Sequence, residues 1–198
     1  MPLQKNQIHL EKLRNATKPL HDELEVLTAS DSMLDKVSLP AYRRFLSIHY
    51  LHHLLIAKQI QEAKLQILDW PECIRIAALQ KDLEMLNADV SFADEMISDM
   101  DLRHSSQEAC VGLCYVSEGS SMGNRMMLKH FKQDKHFRSW NADNFLSSSD
   151  RNFKKRWQSL LTMIHEAGEK NYGNLEAGGL FGFQSFATLW KKVDAISN

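Results

Sequence analysis

The chain has 198 residues, of which 43% are hydrophobic and 25% charged, with a formal net charge of -1. This composition excludes a disordered or fibrous chain, and the near-neutral balance leaves no global positive field of the kind that nucleic-acid or anionic-membrane binders use. The length suits a single domain spanning 1–198. The odd set Cys73, Cys110 and Cys114 argues against a disulfide framework. Met1 to Asn6 lacks a signal-peptide core, and no apolar run reaches the roughly 18 residues of a membrane span, so the expected location is cytoplasmic.

The hydrophobic period is helical almost throughout, with only four prolines and eight glycines and no convincing strand, which predicts an all-α fold. In the first helix Leu13, Ala16, Leu20, Leu24 and Leu27 form one stripe, and Pro19 predicts a kink. Ser38 as cap with Pro40 in the first turn starts a second helix through Phe45, Ile48, Leu51, Leu55 and Ile60, reaching about Leu68. Trp70-Pro71 breaks the chain. Leu79, Leu83 and Leu86 mark the next helix, which ends at Asn87 to Asp89, and a short helix is expected from Phe92 to Met100.

A long helical segment from Ser105 to Phe131 contains Gly112, Gly119 and Gly123. Asp134 to Ser149 reads as a loop with a little helix, and Asp150 caps a run through Phe153, Trp157, Leu160 and Ile164 that Gly168 weakens. Asn171 to Gly182 is glycine-rich and predicts a turn before a last helix carrying Phe183, Phe186, Trp190 and Val193 on one face. No internal repeat or linker to a second domain is apparent.

Three patterns bear on chemistry. Arg14, Lys18, His21 and Glu25, spaced 4, 3 and 4, form a polar stripe beside the apolar one on the first helix. A carboxylate one turn from a histidine accepts a ring N–H and leaves the other nitrogen free for a metal, while a plain solvated face would look the same. Gly112, Gly119 and Gly123, spaced 7 and 4, each cost roughly 1 kcal/mol inside a helix. They leave a bare strip suited either to a flat ligand or to close helix packing. Ser117, Ser120 and Ser121 bond backbone carbonyls and loosen the same stretch. Third, His49 and His53 have the i, i+4 spacing of a metal pair, with His52 between them, but no Glu-x-x-His partner exists and surface or core histidines are the simpler reading. Cys110 and Cys114 read as small core residues, and Cys-x-x-Cys-His, phosphate-loop and dinucleotide motifs are absent.

The stretch from Leu13 to Glu25, Leu-Arg-Asn-Ala-Thr-Lys-Pro-Leu-His-Asp-Glu-Leu-Glu, resembles the proximal-helix motif of heme oxygenases. Tyr115 to Gly123, Tyr-Val-Ser-Glu-Gly-Ser-Ser-Met-Gly, resembles their distal-helix motif in its bacterial form. Weaker similarity runs through Tyr42 to Tyr50, Leu79 to Leu86 and Phe186 to Trp190, so the resemblance covers most of the chain.

The resemblance implies an all-α fold that holds heme b between a proximal and a kinked distal helix. It implies that His21 is the axial iron ligand and Glu25 its hydrogen-bond partner. Gly119 and Gly123 would let the distal helix approach the open face of the heme, where dioxygen binds. Arg14, Lys18 and Lys129 would face the propionates, and Tyr115 and Phe186 would line the pocket. The implied reaction opens heme at a meso carbon to biliverdin, carbon monoxide and free iron, with electrons from a ferredoxin, flavodoxin or reductase. Two positions depart from the family pattern: Asn124 stands where many members have a second glycine, and Ser120 where a better-known branch has aspartate. A non-enzymatic heme carrier, or a di-iron or cofactor-free enzyme of the same fold, would fit the same fold class.

Overall fold

The computed structural model describes residues 7–29, 37–66, 72–98, 100, 106–148 and 152–197. Eight helices and no strand occur among them: α1 Gln7–Ala29, α2 Leu39–Glu62, α3 Glu72–Met85, α4 Ala93–Ser98, α5 Gln107–Phe131, α6 Lys135–Trp140, α7 Asn144–Ser148 and α8 Phe153–Ser197. The expected break at Trp70-Pro71, the cap at Asp150 and the start of the long helix at Ser105 lie outside the described residues, whereas the second helix stops at Glu62, short of the expected Leu68, because the chain turns at Ala63 and Lys64, the latter at φ 49.

Local chemistry accounts for the starts of α2, α5 and α6. The Ala41 N–H donates to Ser38 Oγ at 3.3 Å, with Pro40 in the first turn of α2. Ser106 caps α5 through the Ala109 N–H at 3.1 Å, and Asp134 caps α6 through the His136 N–H at 2.7 Å. The segment Asp134 to Ser149 therefore holds more helix than its polar composition suggests, because Phe137, Phe145 and Leu146 are buried there. Asp82 of α3 accepts the N–H groups of Asn144 at 3.0 Å and Phe145 at 2.8 Å, anchoring the start of α7.

Two apolar cores share α8. One gathers Leu10 and Leu13 of α1, Cys110, Val111 and Cys114 of α5, and Leu160, Ile164, Ala167 and Leu175 of α8. The other joins α2, α3, α4, α6 and α7 to Leu189, Trp190 and Val193 near the end of α8. Cys110 and Cys114 are thus core residues, as their neighbours in sequence suggest. The apolar stripe of α1 is deeply buried only in its first half; Leu20, Leu24 and Leu27 are half-buried.

The predicted turn over Asn171 to Gly182 is not formed. Only Asn171 leaves helical geometry, at φ -160 and ψ 91, and its side chain accepts the Asn174 N–H at 3.1 Å, so it ends one helical run and caps the next. The glycines that follow serve packing rather than turning. A Cβ at Gly178 would run into the backbone of Ala109, one at Gly112 would lie 2.7 Å from the Gly179 nitrogen, and one at Gly179 would lie 2.8 Å from Leu13. Bare backbone on both sides is what lets α5 and α1 sit tightly against α8.

Candidate heme site

The level at which α1 and α5 meet α8 follows from these close approaches. On one side Leu13 and Thr17 meet Gly179, and one turn later His21 meets Phe183, with ring centroids 5.8 Å apart in an edge-on arrangement. On the other side Gly112 meets Gly179 and Val116 meets Gly182. Residues advance together along all three helices, so His21, opposite Phe183, lies at the level of Val116, opposite Gly182, and Gly119 and Gly123 follow about one and two turns further along α5.

His21 stands with 54% of its side chain exposed. Its Nδ1 lies 3.6 Å from Glu25 Oε1, an ion-pair approach longer than a hydrogen bond. Asp22 is equally near at 3.8 Å but is held by Lys18, whose Nζ donates to it at 2.7 Å. That contact lowers the Asp22 carboxyl below its usual range and raises the Lys18 ammonium, chiefly through the shared hydrogen bond. Lys18 is therefore paired within its own helix, while Arg14 and Lys129 are exposed.

On α5 the three aligned glycines divide by role. Gly112 is a packing residue against α8, whereas a Cβ built on Gly119 or Gly123 would meet nothing within 4 Å. The open face continues through Met122 and Met126, large apolar side chains 54% and 75% exposed. Asn124 points elsewhere: it is buried, so the departure from the family's second glycine puts no side chain on that face. Ser120 donates back to the Ser117 carbonyl at 2.7 Å, as its position in a loosened stretch suggests.

Behind the bare strip stands a buried charge network that the sequence does not announce. Glu118 is fully buried and accepts from Arg75 of α3 at 2.7 Å and from Arg156 of α8 at 3.0 Å. Arg75 also donates to Ser117 Oγ at 2.7 Å and Ser121 Oγ at 2.9 Å. Three helices are thereby fixed around the residue next to Gly119. The only signal in the sequence is a glutamate set among small residues inside the 115–123 motif; nothing in the sequence around Arg75 points to it.

The remaining expected residues separate. Tyr115 packs on Trp157 at 6.4 Å, and Phe186 packs edge-on against His49 at 5.0 Å and His52 at 5.2 Å. Phe183, one turn before Phe186 on the face already read as apolar, is the aromatic that meets His21. His49, His52 and His53 are all buried in the second core, with His52 Nε2 bonding the Gly182 carbonyl at 3.1 Å, so they are core histidines rather than a metal pair.

A protein-family model described as heme oxygenase matches residues 8–189. The chain belongs to the heme oxygenase family. Compared one by one with curated proteins, it matches none. The all-helical fold is that of the family, and family membership implies heme binding. Among the described residues, no helix is long and apolar enough to cross a membrane.

The residues present suit a heme. An exposed imidazole with a carboxylate one turn away stands on α1, and α5 carries a bare strip where side chains at two positions would otherwise fill open space. Exposed methionines continue the strip with apolar surface for a porphyrin edge.

Proposed function

We propose that this chain is a heme oxygenase in activity as well as in family, opening heme at a meso carbon to biliverdin, carbon monoxide and iron with dioxygen and electrons from a ferredoxin, flavodoxin or reductase. The observation that carries this reading is His21 with Glu25 on α1 and the bare Gly119 and Gly123 on α5, two helices that both pack against α8.

His21 would hold the heme iron through one imidazole nitrogen. Glu25 closes the small remaining gap to accept the Nδ1–H, which fixes the tautomer, aims Nε2 at the metal and stops the ring turning away. Phe183 braces the ring from α8. When bound, the heme supplies the iron that takes up dioxygen and the ring that is oxidised. Gly119 and Gly123 would present backbone instead of side chains to the bound heme, leaving room for it to lie close against α5. Glu118, clamped by Arg75 and Arg156, keeps that stretch of α5 at a fixed height. Protons would reach that face of the heme through water held by distal backbone groups, since the Ser120 hydroxyl is tied to the Ser117 carbonyl and Asn124 is buried. Arg14, Lys18 and Lys129 would face the propionates, with Lys18 leaving Asp22 to do so, while Tyr115 and Phe186, packed on Trp157 and on His49 and His52, would support the pocket from behind.

The test is to load the purified chain with hemin, supply a reducing system in air, and follow the Soret band together with biliverdin and carbon monoxide. Ring opening in the parent chain and its loss in His21→Ala support the oxygenase. Heme that binds and survives repeated reduction in air would make the protein a carrier instead.

A further inference from the structure

A second group of ligand-type side chains lies well away from the heme site. His9 is in the first turns of α1, twelve residues before His21, which is about 18 Å along a helix axis. It faces His165 and Glu169, one turn apart on the first run of α8. His9 Nε2 lies 2.9 Å from Glu169 Oε1, and the rings of His9 and His165 are 5.7 Å apart. One donor atom from each of the three falls within 4.8 Å of the others.

The surroundings look built rather than incidental. His9 is only 8% exposed, and its ring lies against the bare backbone of Gly168, where a Cβ would come within 2.6 Å of Nδ1. Tyr172 stacks over the other side of that ring at 5.9 Å. Nδ1 of His9 and Nδ1 of His165 are both buried without a hydrogen-bond partner among the described groups. Two imidazoles with unused ring nitrogens in an apolar setting carry a desolvation cost that ligation of a cation relieves. Glu169 is 68% exposed on its side chain, which gives an ion a path in from solvent.

The geometry points to a site for a borderline divalent transition-metal ion of the Zn2+ type, held by His9, His165 and Glu169 with its remaining position open to water. Two imidazoles and one carboxylate are a donor set for such ions, with metal–ligand distances of about 2.0–2.2 Å. Donor atoms around a tetrahedral centre lie about 3.3 Å apart, so the group closes by small side-chain rotations. A bound ion ties the first turns of α1 to α8 just before the break at Asn171, and it thereby stiffens the helix pair that sets His21 against Phe183.

The test uses the full chain, titrated with Zn2+ by calorimetry in a non-chelating buffer, with Co2+ absorption as a report of the ligand set and a thermal melt with and without Zn2+. One saturable ion per chain and a raised melting temperature are expected. His165→Gln and Glu169→Gln, both at the rim of the cluster, are expected to weaken binding at least about tenfold while keeping the far-UV helical signal. His21→Ala, which dismantles the exposed His21, Asp22 and Glu25 group, is expected to leave binding unchanged. Absence of saturable binding, full binding in both α8 variants, or loss of binding in His21→Ala would each overturn the site.

Discussion

At Gly119 and Gly123 the absence of a side chain serves no packing contact, in contrast to Gly112 and Gly178, where a Cβ would strike backbone. The two kinds of glycine therefore respond oppositely to alanine. Gly119→Ala is expected to stabilise the chain by about 0.5–1 kcal/mol, since the helix gains propensity and nothing is displaced. The same change is expected to weaken hemin binding or slow ring opening. Gly178→Ala is expected to cost about 1–3 kcal/mol, because the α5 and α8 backbones must separate. Urea unfolding of the two variants beside the parent decides this, and a loss of stability in Gly119→Ala would mean that the strip is a packing surface. Glu25 is a positioning residue by the same scale of argument. Glu25→Gln is expected to lower activity by about 10–100-fold and to shift the visible spectrum of the bound heme, whereas a purely solvated glutamate would change neither.

Helix α5 carries both the bare strip and, on its buried side, Glu118. Removing that carboxylate leaves Arg75 and Arg156 buried without it, so Glu118→Ala is expected to destabilise by about 3–5 kcal/mol, measured by denaturant unfolding. A cost below about 1 kcal/mol would show that the network is not what fixes the helix. Helix α2 has its own signature in pH. Burial, then the nearby His53, His52 and Arg75, hold the His49 imidazole well below its ordinary value of 6.5. The unfolded chain takes up a proton near that value and the native chain does not, so stability is full above it and falls as the pH drops beneath it. The slope from His49 approaches about 1.4 kcal/mol per pH unit, and His49→Gln is expected to flatten it. Unfolding midpoints compared between pH 7 and pH 5 test this directly.

For the molecule as a whole, the helical period was enough to read the fold class, because each helix buries one stripe against a shared core. The Asn171 to Gly182 stretch resisted that reading for a physical reason: glycines that mark turns in isolation here let two neighbouring helices approach α8, and spacing along one helix does not say what lies across it. The same limit hid Arg75 and Arg156, whose partner Glu118 is 43 and 38 residues away in sequence. The His21 and Glu25 pair and the bare glycines were legible because both depend on spacing within a single helix. Phe183 was visible only as a member of an apolar face. The central proposal is that α1 and α5, both packed against α8, hold a heme that the protein then opens. The most direct measurement is aerobic turnover of the hemin-loaded chain with product analysis, run for the parent and His21→Ala. The account predicts loss of the Soret band with biliverdin and carbon monoxide from the parent and little or none from the variant. Intact heme after many reducing equivalents in the parent, or equal ring opening in both, would contradict it.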